Sequence, residues 1–185
     1  IYTLSLHDAL PIFSGSGVSF LVGLILARIL SPEEYGVMAM IAIFIAISNS
    51  IIDSGFSSAL IRKIDVKDTD YNTVFYFNIV ISICLYILLW ICAPAISRFF
   101  SESLLIPVIR VLGLVLIINS CSIIQRTVLV RNIDFKTQTK VSLIASLVSG
   151  GVGITMALYH CGVWSLVGQQ LSRQFFNSVL LWIYG

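Results

Sequence analysis

Leu30-Ser31-Pro32-Glu33-Glu34-Tyr35-Gly36 is a polar break set between two long apolar runs. Pro32 cannot continue a helix from upstream, because it has no amide hydrogen and its ring collides with the preceding turn. Its fixed φ nevertheless suits the first turn of a new helix. Glu33 and Glu34 then stand at the positive end of that helix's dipole. Ser31 is therefore expected to cap a new helix, and the stretch to be the tip of a helical hairpin. Outward from it the arrangement repeats, with about twenty apolar residues, a short polar break, and about twenty more, the length that crosses a bilayer core.

The composition agrees. Of 185 residues 58% are hydrophobic and 11% charged, with a mean hydropathy of +1.00, whereas a soluble domain carries about 25% charge. The chain reads as a membrane protein. A net charge of +2, with the basic residues confined to short loops, gives no nucleic-acid footprint. The first twelve residues, Ile1 to Ile12, resemble the in-frame translation of a sequencing adapter. They are set aside from fold reasoning, so His7 and Asp8 carry no expected chemistry. The remaining residues, 13–185, are expected to be one truncated segment of six helices.

Spans are expected at about Phe13–Leu30, Gly36–Ile52 (continuing amphipathically past Gly55 to Ile61), Thr73–Ala93, Leu104–Ile124, Val141–Tyr159 and Val163–Ile183. Pro94 is expected to end the third, and Pro107 to sit in the first turn of the fourth. Gln125 to Lys136 is polar with an apolar phase and reads as an interfacial helix. His160-Cys161-Gly162 makes a tight hairpin. Only helices or closed barrels satisfy the backbone in lipid, and these runs are too long for barrel strands, so the fold class is all-α, a polytopic membrane bundle. The loops after the second and fourth spans hold Arg62, Lys63, Lys67, Arg126, Arg131, Lys136 and Lys140, against Arg28 and Arg98 in the others. The positive-inside rule then makes both ends cytoplasmic.

A charge at mid-bilayer costs from about 2.5 kcal/mol upward, so it faces a cavity or a partner. Three stand out: Asp53, Arg110 and Arg173. Gln169, Gln170, Arg173, Gln174 and Asn177 recur at three- and four-residue intervals and draw a polar stripe down a helix otherwise made of Leu, Phe and Val. The stripe is read as the wall of a water-filled cavity, the alternative being a packing network between spans. Arg110 is open between a place in that cavity and outward snorkelling. Asp53 is open between pairing a basic residue and holding a bend at Gly55. Gly15, Ser19 and Gly23, like Ser142, Ser146 and Gly150, have the spacing of close helix packing; Asn49 and Asn78 are expected as interhelical hydrogen-bonding groups. Cys84, Cys92, Cys121 and Cys161 lack ligand spacing, and no phosphate loop, nucleophile elbow or carboxylate pair is visible. No cofactor, metal or catalytic constellation is expected.

Ala27 to Gly36, followed by Asp53-Ser54-Gly55-Phe56-Ser57-Ser58-Ala59-Leu60-Ile61-Arg62, resembles the opening of bacterial polysaccharide-transport flippases. Arg126 to Phe135 and Gly162-Val163-Trp164-Ser165-Leu166-Val167 are similar to that family's cytoplasmic turn and sixth-span entry. The resemblance implies a flippase of the multidrug/oligosaccharidyl-lipid/polysaccharide superfamily in a bacterial inner membrane, working by alternating access. It implies as partners an isoprenoid-pyrophosphate-linked glycan, membrane lipid and a C-terminal lobe beyond this chain. Two other functions compete: a cation-coupled multidrug exporter, which needs buried carboxylates, and a non-transporting membrane protein of glycan assembly. Arg173 and its amides suit an anionic head.

Overall fold

The structure, a computed structural model, describes the backbone of residues 6–52, 68–131 and 135–184, with side chains for 17–52, 71–130 and 137–184. Its described helices are α1 (Leu6–Ile29), α2 (Pro32–Ile52), α3 (Asp68–Phe100), α4 (Leu105–Leu112), α5 (Leu114–Arg131), α6 (Phe135–Leu158) and α7 (Val163–Tyr184). The stretches Pro32–Ile52, Tyr71–Phe100, Leu105–Val130 and Thr137–Leu158 are long and apolar enough to cross a membrane. α1 adds the shorter apolar run Gly17–Ile29, and α7 has the length, with 22 residues, but carries the polar stripe. The chain is an all-α, multi-pass membrane protein.

The break after α1 folds as its residues dictate. The Ser31 amide donates to Glu34 Oε2 at 2.8 Å and the Glu34 amide donates to Ser31 Oγ at 3.4 Å. This reciprocal pair satisfies two backbone donors that a helix start otherwise leaves open. Tyr35 Oη then donates to the Gly23 carbonyl at 3.4 Å, closing the hairpin on itself. The other turns at this end stop their helices with a residue in the left-handed region: Ser101 (φ 57) after α3 and His160 (φ 56) after α6. In each, two successive amides fold back onto the last turn: Ser101 and Glu102 onto Arg98 and Ser97, His160 and Cys161 onto Ala157 and Met156.

Four expectations change. Pro94 lies inside α3, which runs on to Phe100; a proline removes one backbone bond, and in a long membrane helix the remaining bonds hold the helix through it. The fourth span is interrupted for one residue at Gly113, whose φ of -57° and ψ of -25° stay helical, and runs on past Ile124 to Val130 as one apolar stretch. The polar segment from Gln125 is the end of α5 and the beginning of α6, with 132–134 outside the described residues. α1 begins at Leu6, ahead of the Phe13 at which the first span was expected to start.

Helix packing is built on small residues, as expected where lipid gives no hydrophobic drive between helices. α6 packs on α7 and α1, and α5 sits centrally against α2, α3, α4, α6 and α7. Gly150 receives Val22, Gly153 receives Gln169, and Gly168 receives Met156. Ser19 Oγ donates to Ser146 Oγ at 3.3 Å, and Ser82 and Ser120 share a bond of 2.9 Å across α3 and α5. Asn78, on the same α3 face as Ser82, is fully buried with neither amide atom paired among the described residues. The serines nearest it are engaged with each other and with the Ile79 and Ile117 carbonyls. One apolar core joins α2, α3, α4, α5 and α7; a second joins α1, α6 and α7 through Val22, Leu26, Leu30, Ala157 and Leu166. Large apolar side chains such as Phe20, Ile43, Ile91 and Leu147 face outward, the expected lipid surface.

Candidate functional site

The turns after α1, α3 and α6 lie at one end of the bundle, called here the hairpin end. α5 and α7 finish, and α6 begins, at the other, called the basic end after Arg126 and Lys140. A cleft of about 290 Å³ opens between α5, α6 and α7, lined by Arg126, Gln138, Ser142, Ala145, Gln170, Arg173, Gln174, Asn177 and Leu181. On α7 the lining follows the helical repeat from Gln170 to Leu181. On α6, Gln138, Ser142 and Ala145 fall at i, i+4 and i+7, so one face of each helix supplies the wall.

Arg173 lies ten residues into α7, about 15 Å from its start at 1.5 Å per residue and so near mid-depth. Its side chain is exposed in the cleft. Arg126 stands five residues before the end of α5, and Gln138 three residues into α6. The cleft therefore reaches from the basic end to about the middle of the bundle. Leu181 joins it to the apolar cluster of Leu129 and Val141.

Two guanidiniums, three glutamines, an asparagine and a serine meet here, and no carboxylate is among the described residues that line the cleft. Guanidinium stays protonated and presents planar paired donors that match carboxylate or phosphate oxygens. The amides and hydroxyl offer both donors and acceptors. The arrangement suits a solute with an anionic part and a hydroxyl-rich part.

Gln174 is held from behind. Its Nε2 donates to Asn119 Oδ1 at 2.9 Å, and Asn119 Nδ2 donates to Asn49 Oδ1 at 3.0 Å. Asn49 is thus the interhelical bonding group its sequence context suggests.

The remaining sequence candidates fall elsewhere. Gln169 belongs to the stripe but turns toward α6, its Cβ and Cγ packed against Gly153. Arg110 is outside the cleft. Its guanidinium carbon lies 4.5 Å above the Trp90 ring, and its buried Nε has no hydrogen-bond partner among the described residues. A cation over an aromatic face is favourable where solvent is excluded. Asp53 lies outside the described residues. Arg126 and Ser142 join the cleft although sequence reading left them to an interfacial segment and to helix packing, and Gln138, which sequence reading did not single out, joins with them. The i, i+4 repeat of Gln138 and Ser142 was the available signal.

A family model described as polysaccharide biosynthesis protein matches residues 25–185. The chain belongs to this family. Among curated polysaccharide biosynthesis proteins, it is 26% identical over 153 residues to the succinoglycan biosynthesis transport protein ExoT of Rhizobium meliloti, covering 83% of this chain and 31% of that protein. It is 24% identical to the teichuronic acid biosynthesis protein TuaB of Bacillus subtilis over 71% of this chain and 27% of the relative. It is 20% identical to the lipopolysaccharide biosynthesis protein WzxC of Escherichia coli over 84% of this chain and 31% of the relative. The chain thus spans less than a third of the length of these relatives. No solved structure matches it.

Proposed function

We propose that this chain is the N-terminal lobe of a transporter that moves a lipid-linked oligosaccharide across the bacterial inner membrane, with both ends of the segment cytoplasmic. The cleft carries the reading: two arginines among amides, open from the basic end to mid-depth, with no carboxylate among the described residues of its wall. The names of the relatives, one a succinoglycan biosynthesis transport protein, support a polysaccharide precursor as the class of cargo. In the complete protein two lobes rock about a midplane cavity, the glycan and its anionic head lie in the polar cleft, and the lipid tail stays in the bilayer. A cation-coupled exporter needs an acidic group where this cleft presents Arg126 and Arg173, so the cationic lining favours an anionic cargo.

The test is export of surface glycan by the full-length protein in cells lacking their own copy, with membrane protein levels measured alongside. Arg173→Ala is expected to abolish export at normal protein level. Arg173→Lys restores part of it, because an ammonium keeps the charge and loses the planar paired donors. Full export by Arg173→Leu at normal level would overturn the reading, since a leucine can replace a packing residue but cannot bind an anion.

A further inference from the structure

The line of amides behind the cleft crosses three helices. Gln174 on α7 donates to Asn119 on α5, and Asn119 donates to Asn49 on α2. A side-chain amide has one carbonyl oxygen and one NH₂ group. Gln174 gives one of its two N–H donors to Asn119, a bond through nitrogen that fixes the side of the amide on which Oε1, its acceptor, stands. That acceptor belongs to a cleft whose other strong groups, Arg126 and Arg173, can only donate.

We infer that Asn119 and Asn49 are positioning residues that hold Gln174 with its carbonyl oxygen toward the cleft, making it the acceptor for a cargo hydroxyl beside two cationic donors. The inference rests on the transport reading above and assigns roles within the same site. Neither asparagine lines the cleft. Both are partly buried, and each link is of ordinary hydrogen-bond length. Without Asn119 the Gln174 amide is free to turn over, and its N–H group can then take the place of the carbonyl oxygen at that point. An anion still binds such a wall; a cargo hydroxyl that donates there loses its acceptor. The direction of the links gives a second, sharper consequence. Asn49 acts as an acceptor from Asn119, so a carboxylate at position 49 preserves the link and an alkyl group removes it.

The experiment uses the full-length protein, with glycan export in cells and binding of inorganic pyrophosphate to the purified protein in detergent. Asn49→Leu is expected to lower export about three- to tenfold at unchanged protein level, the scale of one lost hydrogen bond. It leaves pyrophosphate binding at the wild-type value, since Arg126 and Arg173 supply the anion contact. Asn49→Asp restores export. Asn119→Leu and Gln174→Leu each lower export, and the double variant is no worse than the poorer single one, as residues acting through one line of bonds require. If Asn119→Leu reduces the amount of protein, the Asn49 pair decides the matter alone. The inference is overturned by wild-type export in Asn49→Leu, by Asn49→Asp failing to outperform Asn49→Leu, or by multiplying losses at 119 and 174. Such a result with Arg173→Ala still inactive removes the positioning role and leaves the transport reading standing. Normal export by Arg173→Leu removes both.

Discussion

Glu34 serves two turns with one carboxylate. Oε2 accepts the Ser31 amide in the cap of α2, while Oε1 lies where a side chain at Gly162 would begin, 2.6 Å from a Cβ built there. Gly162 has φ +60, a left-handed conformation that costs an L-residue about 1–2 kcal/mol. The start of α7 is therefore set by a residue without a side chain pressed against the hairpin of α1 and α2. Gly162→Ala is expected to lower the thermal unfolding temperature of the full-length protein in detergent through both backbone strain and the clash with Glu34. Adding Glu34→Ala removes the clash while leaving the strain, so the double variant should lose less than the two single losses added together. A Gly162→Ala protein that unfolds at the wild-type temperature would contradict this account.

At the scale of the helix, the contacts that fix α6 against α1 and α7 are glycines filled by a neighbour, and the filler decides what a methyl group costs. A Cβ at Gly150 would lie 2.6 Å from Cγ2 of Val22, and one at Gly168 would lie 2.5 Å from Sδ of Met156. Valine is stiff at χ1 and cannot step aside without moving α1, whereas methionine has several rotatable bonds and can re-route. Gly150→Ala should thus destabilise the bundle more than Gly168→Ala, by thermal unfolding of the two proteins side by side; the reverse order would refute the packing argument. The same distinction explains what the sequence made legible. Apolar runs, the Ser31–Pro32 start and the α7 stripe are local patterns that one helix determines alone, and they yielded the fold class and four of the cleft residues, Gln170, Arg173, Gln174 and Asn177. The close approach of Tyr86 to Gly113 comes from another helix, the continuation through Pro94 depends on the rest of α3, and the departure of Gln169 from the stripe depends on a glycine of α6. Arg126 was hidden for a related reason. It lies in a polar segment that reads as interfacial until α5, α6 and α7 are placed side by side.

The whole molecule leaves its most polar wall open. Arg173 and Gln170 are exposed along a helix whose neighbours on the packed side are buried, and the chain covers under a third of the length of its relatives. An uncovered guanidinium near mid-bilayer costs from about 2.5 kcal/mol upward unless water or a protein surface meets it. In the two-lobed transporter proposed above, a cavity between the lobes would supply that environment. Produced as residues 13–185 alone, the chain should insert, fail to export glycan, and self-associate in detergent through the cleft face. Light scattering on the eluting peak measures this directly. Arg173→Leu in the same segment should shift it toward monomer, because the replacement removes the group that cannot rest against detergent or lipid. A monodisperse monomer of the unaltered segment that transports glycan would defeat the two-lobe reading, since one lobe would then suffice for the path. A self-associated segment that Arg173→Leu leaves unchanged would place the cause in another face, and the outward apolar surface of α3 would be the next to test.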